Sequence, residues 1–245
     1  MTLRAHLARP STGRTNVDAP ALVIVHGFPA GVLGADAAAA SFPELGDRIA
    51  TELGWLVLVP ALRGASGSEG HFSLGGWMDD VIAAIAHLRA TERPGGIWLA
   101  GFGTGGALCL AAAAKDPAIK GVAALAAPAD FDDWASQPRR LLHHSRTIGL
   151  ISDPAFPASF DRWSREFRDI RADRSVAAVA PRPVLVVHGT DDESVPAFDA
   201  RVVADAHGSA ELRMLSGAGH ALRHDPRAVA VLLGWLDRQR SALYA

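Results

Sequence analysis

The segment IWLAGFGTGG, residues 97–106, joins a short apolar run to a stretch with four glycines in six residues. The apolar run predicts a buried strand, and the glycines predict a sharp turn into a helix. Similar continuous apolar runs occupy residues 21–25, 55–59, 121–125 and 184–187, and a more mixed run occupies 211–215. Continuous runs are typical of parallel strands buried on both faces. The sequence therefore predicts an α/β fold, with a mostly parallel sheet flanked by helices.

Helical patterns with recognisable start signals separate these strands. Ser41 precedes Pro43 and Glu44 in a capping-box pattern, which predicts a helix that runs to Gly54. Ser73 is the predicted N-cap of the next helix.

The spacing of apolar residues predicts which helix faces are buried. The helix after Ser73 has an apolar stripe that leaves Asp79, Asp80 and His87 outside it. The stripe consists of Trp77, Val81, Ile85 and Leu88. A last helix from about Pro226 to Arg240 is predicted to close the domain. Its inward side chains are Val229, Leu232, Leu233 and Leu236.

Length and composition limit the class of protein. The 245 residues predict one domain over 1–245, and a hydrophobic content of 49% permits a sizeable core. A net charge of −2 provides no basic field for nucleic acid. The single cysteine, Cys109, predicts no internal disulfide, and the first residues lack the apolar core of a signal peptide. No apolar window approaches the roughly twenty residues that cross a bilayer. We expect a cytoplasmic monomer or homodimer with neither nucleic-acid nor membrane partners.

One region, residues 130–180, interrupts the alternation of strands and helices. It is rich in Asp, Arg, Trp, Phe and His and contains no long apolar strand. An insertion of this size in a compact α/β domain is typical of a functional lid, so we predict a small helical cap. The alternative is a set of surface helices with no role in binding.

Four further segments accompany GFGTGG in a recognisable order. They are VIVHGFPAG (23–31), PALRGASGSEG (60–70), PVLVVHGTDDESVP (183–196) and LSGAGHALRHDP (215–226). From about Ala21 to Leu236 the chain resembles the α/β-hydrolase superfamily, of the esterase, lipase and serine-peptidase-like kind. The resemblance implies that these segments supply, in turn, an oxyanion loop, a loop of the D-x-R-G-x-G-x-S type, the triad acid and the triad histidine, with the nucleophile elbow at GFGTGG.

The elbow of this family reads G-x-S-x-G, and the serine position is occupied here by Gly103. Glycine fits the expected positive φ without strain, but it removes the usual covalent route. The resemblance assigns the triad acid to Asp192, with Asp191 as the rival, and the base to His220. In the competing interpretation, Asp191 and Asp192 only shape a turn.

The resemblance also assigns supporting roles around the elbow. The oxyanion hole is expected from the backbone N–H groups of Phe28 and Thr104, and His26 is expected to be structural. The Thr104 hydroxyl is a minor alternative nucleophile. Cys109, which lies among leucines and alanines, is interpreted as a buried structural thiol.

The expected ligand is a small ester- or acyl-type molecule. Trp134, Phe160 and Trp163 are the predicted substrate-binding residues of the cap, although they could equally form its own core. No cofactor is expected, because no acidic residue ends the strand that follows GFGTGG, where a dinucleotide-binding fold places one. No metal is expected either, because the adjacent histidines His143 and His144 point in different directions on a helix.

Several functions remain open at this point. The first is weak hydrolysis of a reactive ester or thioester by water that His220 and Asp192 activate. The second is non-catalytic binding of an acyl-like ligand. In the third, Gly103 replaces the serine of an ordinary esterase through an engineered change. A further resemblance is to dienelactone-hydrolase-like enzymes, whose elbow reads G-x-C-x-G-G, but Gly103 lacks that cysteine too.

Overall fold

A computed structural model describes residues 1–10, 19–29 and 34–244 of the chain. These residues form a seven-stranded sheet with the order β1-β3-β2-β4-β5-β6-β7. The strands are β1 (Ala5–Ala8), β2 (Pro20–Val25), β3 (Leu56–Pro60), β4 (Gly96–Phe102), β5 (Ile119–Leu125), β6 (Val184–Gly189) and β7 (Glu211–Leu215). All neighbouring pairs are parallel except β1 and β3, which are antiparallel. The predicted α/β class is confirmed.

The edge strand β1 was missed by the sequence patterns. It is only four residues long, AHLA, and most of it is not fully buried. A strand this short carries too little alternation to be distinguished from a loop, and its antiparallel pairing with β3 depends on the rest of the sheet.

Helices connect the strands and cover both faces of the sheet. They are α1 (Phe42–Leu53), α2 (Leu74–Glu92), α3 (Thr104–Lys115), α4 (Asp132–Ser136), α5 (Pro138–Thr147), α6 (Phe160–Asp169), α7 (Ala172–Ser175), α8 (Ala197–His207) and α9 (Pro226–Leu243). None of the helices in the described ranges is long and apolar enough to cross a membrane.

The predicted helix boundaries are partly right. The Ser73 side chain accepts a hydrogen bond from the Gly76 N–H at 3.0 Å, as expected of an N-cap. Helix α1 ends at Gly54, which has a left-handed φ of 70°. The prediction that Ser41 caps α1 through its side chain is wrong. Its φ and ψ of −111° and 3° are not the extended values that aim a capping side chain at the first turn.

Burial of β2 explains why its sequence is apolar without alternation. Ala21, Val23 and Val25 contribute to the hydrophobic cluster that includes α2 and α3. Leu22 and Ile24 contribute to the cluster that includes α1 and α9. Both faces of this strand are therefore dry.

The predicted inner face of α2 is confirmed, because its four stripe residues are at most 4% exposed. Asp80, however, is only 1% exposed and pairs with Arg63, so its predicted position off the buried face is wrong. A carboxylate that receives an arginine can be buried beside an apolar stripe, which hydrophobic periodicity does not register. In α9, Leu232 and Leu236 are buried as predicted, and Trp235 joins them.

Four of the helices, α4 to α7, lie between β5 and β6. The rings of Trp134 on α4 and Trp163 on α6 both pack edge-on against Phe167. The Trp163 indole N–H donates to the carbonyl of Phe72 at 3.1 Å, which ties α6 to the segment before α2.

Candidate active site

The turn between β4 and α3 places Gly103 at the carboxyl end of the sheet. Its φ and ψ are 54° and −127°, in the positive-φ region that disfavours side chains. A Cβ on Gly101 would lie 2.2 Å from the carbonyl oxygen of Gly105, and a Cβ on Gly105 would lie 2.4 Å from that of Val25. The glycines that flank Gly103 are therefore required by the close approach of α3 to the strands.

His220, in the loop after β7, faces Gly103. Its Nε2 lies 3.3 Å from the position that a Cβ on Gly103 would occupy. Its Nδ1 lies 2.9 Å from Oδ2 of Asp192. The imidazole therefore joins the elbow to a carboxylate, and a proton on Nδ1 leaves Nε2 free to accept another proton.

Asp192 is held by three hydrogen bonds and a close contact with a buried histidine at the end of β6. Its Oδ1 accepts the N–H groups of Ser194 and Val195, both at 2.9 Å, and its side chain is 0% exposed. Its Oδ2 accepts a hydrogen bond from Nδ1 of His220 and also lies 3.2 Å from Nε2 of His188, which is itself hydrogen-bonded to the carbonyl oxygen of Val195 at 3.0 Å. Burial opposes ionisation, but the contact with His188 and the hydrogen bonds from His220 and Val195 outweigh it and hold the pKa of Asp192 well below its ordinary value.

The neighbours Asp191 and His188 have different places in this loop. Asp191 is exposed and accepts a hydrogen bond from the Thr190 hydroxyl, so it shapes the turn and does not reach His220. His188 is completely buried beside Asp192 and was not singled out from the sequence. The only available signal was its position in VVHGTDD, four residues before Asp192.

The low pKa of Asp192 predicts how this carboxylate contributes to stability. The pKa of Asp192 is lower in the folded protein than in the unfolded chain, where it is about 4. The ionised carboxylate therefore contributes its full stabilisation at pH values well above 4. This stabilisation is lost as the pH falls towards the folded pKa. We expect the difference in unfolding free energy between the wild type and Asp192→Asn to be constant from pH 7 to 5 and to shrink below pH 4. Urea denaturation at each pH measures it, and a difference that stays constant down to pH 2.5 contradicts the expectation.

The loop after β2 lies against the elbow. A Cβ on Gly27 would be 2.7 Å from the carbonyl oxygen of Phe102, so the two backbones are in contact there. In the ranges that the structure describes, the backbone N–H groups of Phe28 and Thr104 have no hydrogen-bond acceptor. Thr104 is also the first residue of α3, where backbone N–H groups are free to bind a ligand oxygen.

His26 supports this loop from below. Its Nε2 accepts the N–H of Leu62 at 3.0 Å, and its Nδ1 bonds to the carbonyl of Gly27 at 2.9 Å. Burial lowers the pKa of His26 to about 4, so the ring is neutral near pH 7. Both ring nitrogens are occupied by backbone groups, which agrees with the structural role expected for this residue.

A cavity of about 360 Å³ opens beside His220 and Thr104. Its other lining residues come from the loop after β2, the segment 128–144 and the start of α8; they are Phe28, Pro29, Pro128, Asp130, Phe131, Asp133, Trp134, Leu141, His144, Ser194, Val195, Pro196 and Asp199. Helices α4 and α5 therefore form one wall of the cavity.

Of the three cap aromatics predicted to bind substrate, Trp134 alone lines this cavity. Trp163 is 2% exposed and packs between Phe72 and Phe167, and Phe160 lies against Trp163 and under the guanidinium of Arg139. Phe160 and Trp163 do not line this cavity, and their contacts fit the alternative that they form a small core, while substrate binding by Trp134 stays a prediction. An aromatic residue in a polar insertion indicates burial, but not whether it packs against a ligand or against another helix.

The two alternative nucleophiles differ in position. Thr104 lines the cavity but is only 5% exposed. Cys109 is 0% exposed in α3, and burial raises the pKa of its thiol far above the ordinary value. The thiol therefore stays protonated, as expected of a structural cysteine.

A mostly parallel sheet with a sharp strand-to-helix turn after one strand, an acid after a later strand and a histidine after the last is typical of the α/β-hydrolase fold. The chain belongs to the alpha/beta hydrolase family, whose sequence profile matches residues 22–232.

The individual proteins that this chain resembles are distant from it in sequence. The uncharacterized protein YfhR of Salmonella typhi is 31% identical over 150 residues, which cover 56% of this chain and 45% of YfhR. Among solved structures, Est1E from Butyrivibrio proteoclasticus with bound ferulic acid superposes with a TM-score of 0.76 and 23% identity, over 98% of this chain and 96% of Est1E. The α/β hydrolase GrgF from Penicillium sp. sh18 has a TM-score of 0.72 and 21% identity, over 98% of this chain and 94% of GrgF. At 23% and 21% identity, the similarity to these two structures shows only that the fold is shared.

Proposed function

We propose that this protein binds a small ester- or acyl-type molecule at the elbow and hydrolyses it weakly, with water in place of a serine nucleophile. The observation that carries the proposal is the position of His220. It is hydrogen-bonded to Asp192 and lies 3.3 Å from the place of a Cβ on Gly103. A general base is thus aimed at the point where a nucleophile must stand.

The proposed reaction needs no covalent intermediate with the protein. His220 Nε2 takes a proton from water as the water oxygen adds to the substrate carbonyl carbon. The carbonyl oxygen gains negative charge, which the N–H groups of Phe28 and Thr104 would stabilise. The tetrahedral intermediate then expels the alcohol or thiol, which takes the proton back from His220. Asp192, which stays ionised, holds the imidazole and balances its transient positive charge.

Weak activity is expected because Gly103 has no side chain that could form an acyl-enzyme. Triad-deficient hydrolases keep about 10³–10⁴-fold acceleration over water through binding and the oxyanion hole. The reactive substrates of choice are therefore activated esters and thioesters, whose leaving groups need little assistance.

A second candidate function is non-catalytic binding of the same class of ligand. Gly103 favours it, because glycine relieves the strain of the positive-φ turn that a nucleophile would keep. In that case the cavity and the N–H groups would hold an acyl ligand without turning it over.

The hydrolysis of p-nitrophenyl acetate by the wild type, His220→Ala and His87→Ala tests the proposal. We expect the wild-type rate to exceed that of an equal concentration of imidazole. His220→Ala should lose about 10²-fold or more, the usual contribution of a general base. His87, an exposed histidine on α2, serves as the control, and its replacement should leave the rate unchanged. A rate that survives His220→Ala contradicts hydrolysis at this site, and retained ligand binding would then support the non-catalytic function.

A further inference from the structure

A second cavity, of about 420 Å³, is lined by Gly103 and His220. The two cavities share Phe28, Pro29 and His220, so they meet at the elbow. The remaining described lining comes from segments 34–42 and 221–224 and from the end of β4; it consists of Gly27, Gly34, Ala37, Ala38, Ser41, Phe42, Phe102, Gly103, Ala221, Leu222, Arg223 and His224. A ligand whose carbonyl lies at Gly103 would extend one arm into each cavity.

Arg223 brings a positive charge to this mostly apolar lining. Its guanidinium lies 5.0 Å above the ring centre of Phe42, and its Nη1 donates to the carbonyl oxygen of Ser41 at 3.1 Å. No carboxylate within the described ranges is close enough to form an ion pair with it. Burial lowers the pKa of Arg223, and the more distant Glu44 partly opposes that effect.

The geometry of Arg223 is fixed although its charge is not paired. The stacking on Phe42, the bond to Ser41 and the contacts of Nη2 with the ring nitrogens of His224 hold the guanidinium in the cavity wall. Within the described ranges, its Nε–H and the second N–H of Nη1 have no acceptor and remain available to a ligand. Burying part of a cation without an anionic partner costs free energy. A bound anion would offset that cost.

The first cavity has the opposite charge. Asp133 and Asp199 line it, while the charge of Asp130 is compensated by Arg171 at 3.0 Å. A negatively charged arm is therefore repelled from the first cavity and attracted to the second, which gives a charged ligand one orientation at the elbow.

We propose that the second cavity binds a carboxylate group of the ligand through Arg223, so that the protein selects acyl compounds and esters that carry a free carboxylate on one arm. Monoesters of short dicarboxylic acids have this chemistry. The proposal rests on the proposed function only in placing the carbonyl at Gly103.

Binding of methyl hydrogen glutarate and of dimethyl glutarate, measured by calorimetric titration of the full chain, tests this selection. The two probes differ in one methyl group and one negative charge. Because a hydrogen bond between charged groups is stronger than a neutral one, we expect the wild type to bind the monoester about tenfold more tightly or better. Arg223→Gln should reduce the ratio of the two dissociation constants to about one, and Arg223→Lys should keep part of it.

Arg227→Gln is the matched control, because Arg227 is an exposed arginine four residues further on that pairs with Asp225. It should keep the wild-type ratio. Equal binding of both probes by the wild type, no measurable binding of the monoester, or a preference that persists in Arg223→Gln overturns the proposal. Because the readout is binding, a protein without hydrolytic activity still gives the predicted ratio, so failure of the proposed function is distinguishable from failure of this inference.

Discussion

The variant Gly103→Ser is expected to hydrolyse p-nitrophenyl acetate about 10²-fold faster than the wild type or better, against the ~10⁶-fold that loss of the nucleophile costs in a serine hydrolase. The new hydroxyl would stand beside His220 Nε2, which is already within 3.3 Å of the Cβ position. That distance is short, so the imidazole must move by a few tenths of an ångström. We therefore expect the hydrolysis rate to rise by less than the full factor that a serine nucleophile provides. A burst of p-nitrophenol equal to the enzyme concentration would show an acyl-enzyme.

Two variants control this experiment. Gly103→Ala adds the same Cβ without the hydroxyl, so it should lose stability by about 1–3 kcal/mol through the positive φ and gain no activity. The double variant Gly103→Ser with His220→Ala should lose the gain. If Gly103→Ser folds and binds an acyl ligand but stays at the wild-type rate, the site has diverged beyond its nucleophile, and the non-catalytic function is then favoured.

The second large effect is expected from Arg63→Met, which should lower the free energy of unfolding by about 3–5 kcal/mol. Asp80 is 1% exposed and accepts the Arg63 side chain through both carboxylate oxygens, with distances from 2.6 to 3.0 Å. It also accepts the backbone N–H of Arg63 at 2.8 Å. Removal of the guanidinium leaves a buried carboxylate without its counter-ion.

Urea denaturation measures this loss, and Arg48→Met provides the comparison. Arg48 pairs with Glu52 across one helical turn, but both side chains are about half exposed, at 51% and 50%. Exposed pairs of this kind contribute about 0.3–0.5 kcal/mol. A similar small loss in both variants would show that water reaches Asp80 and would contradict the buried pair.

Local chemistry is sufficient to predict much of the framework. The continuous apolar runs predicted five of the described strands, β2 to β6, because a strand buried on both faces needs nonpolar side chains at every position, and the more mixed run at 211–215 predicted β7. The Ser73 cap of α2 and the end of α1 at Gly54 depend on backbone groups within one turn, so short patterns identify them. The turn at Gly103 was predictable for the same reason, because glycine is favoured wherever φ is positive.

Contacts between distant segments were decided by the tertiary structure alone. Asp80 has the sequence environment of an exposed carboxylate, yet Arg63, seventeen residues away, pairs with it in the core. Trp163 and Trp134 have similar sequence contexts, but Trp163 packs between Phe72 and Phe167 whereas Trp134 lines the first cavity. Composition predicts that such rings are buried, whereas the surface that buries them depends on how the helices pack.

The sequence by itself determined the α/β class, because each strand is a short apolar run. It also determined the glycine elbow and the order of the segments that carry Asp192 and His220, because each of these is a motif of a few consecutive residues. Only the tertiary structure decided that Asp192 meets His220 while Asp191 stays in the turn, and that His188 completes the group. It alone also placed Arg223 in a cavity at the elbow. The physical reason is that hydrogen bonds and charge pairs act over a few ångströms, and chain folding determines which residues come that close.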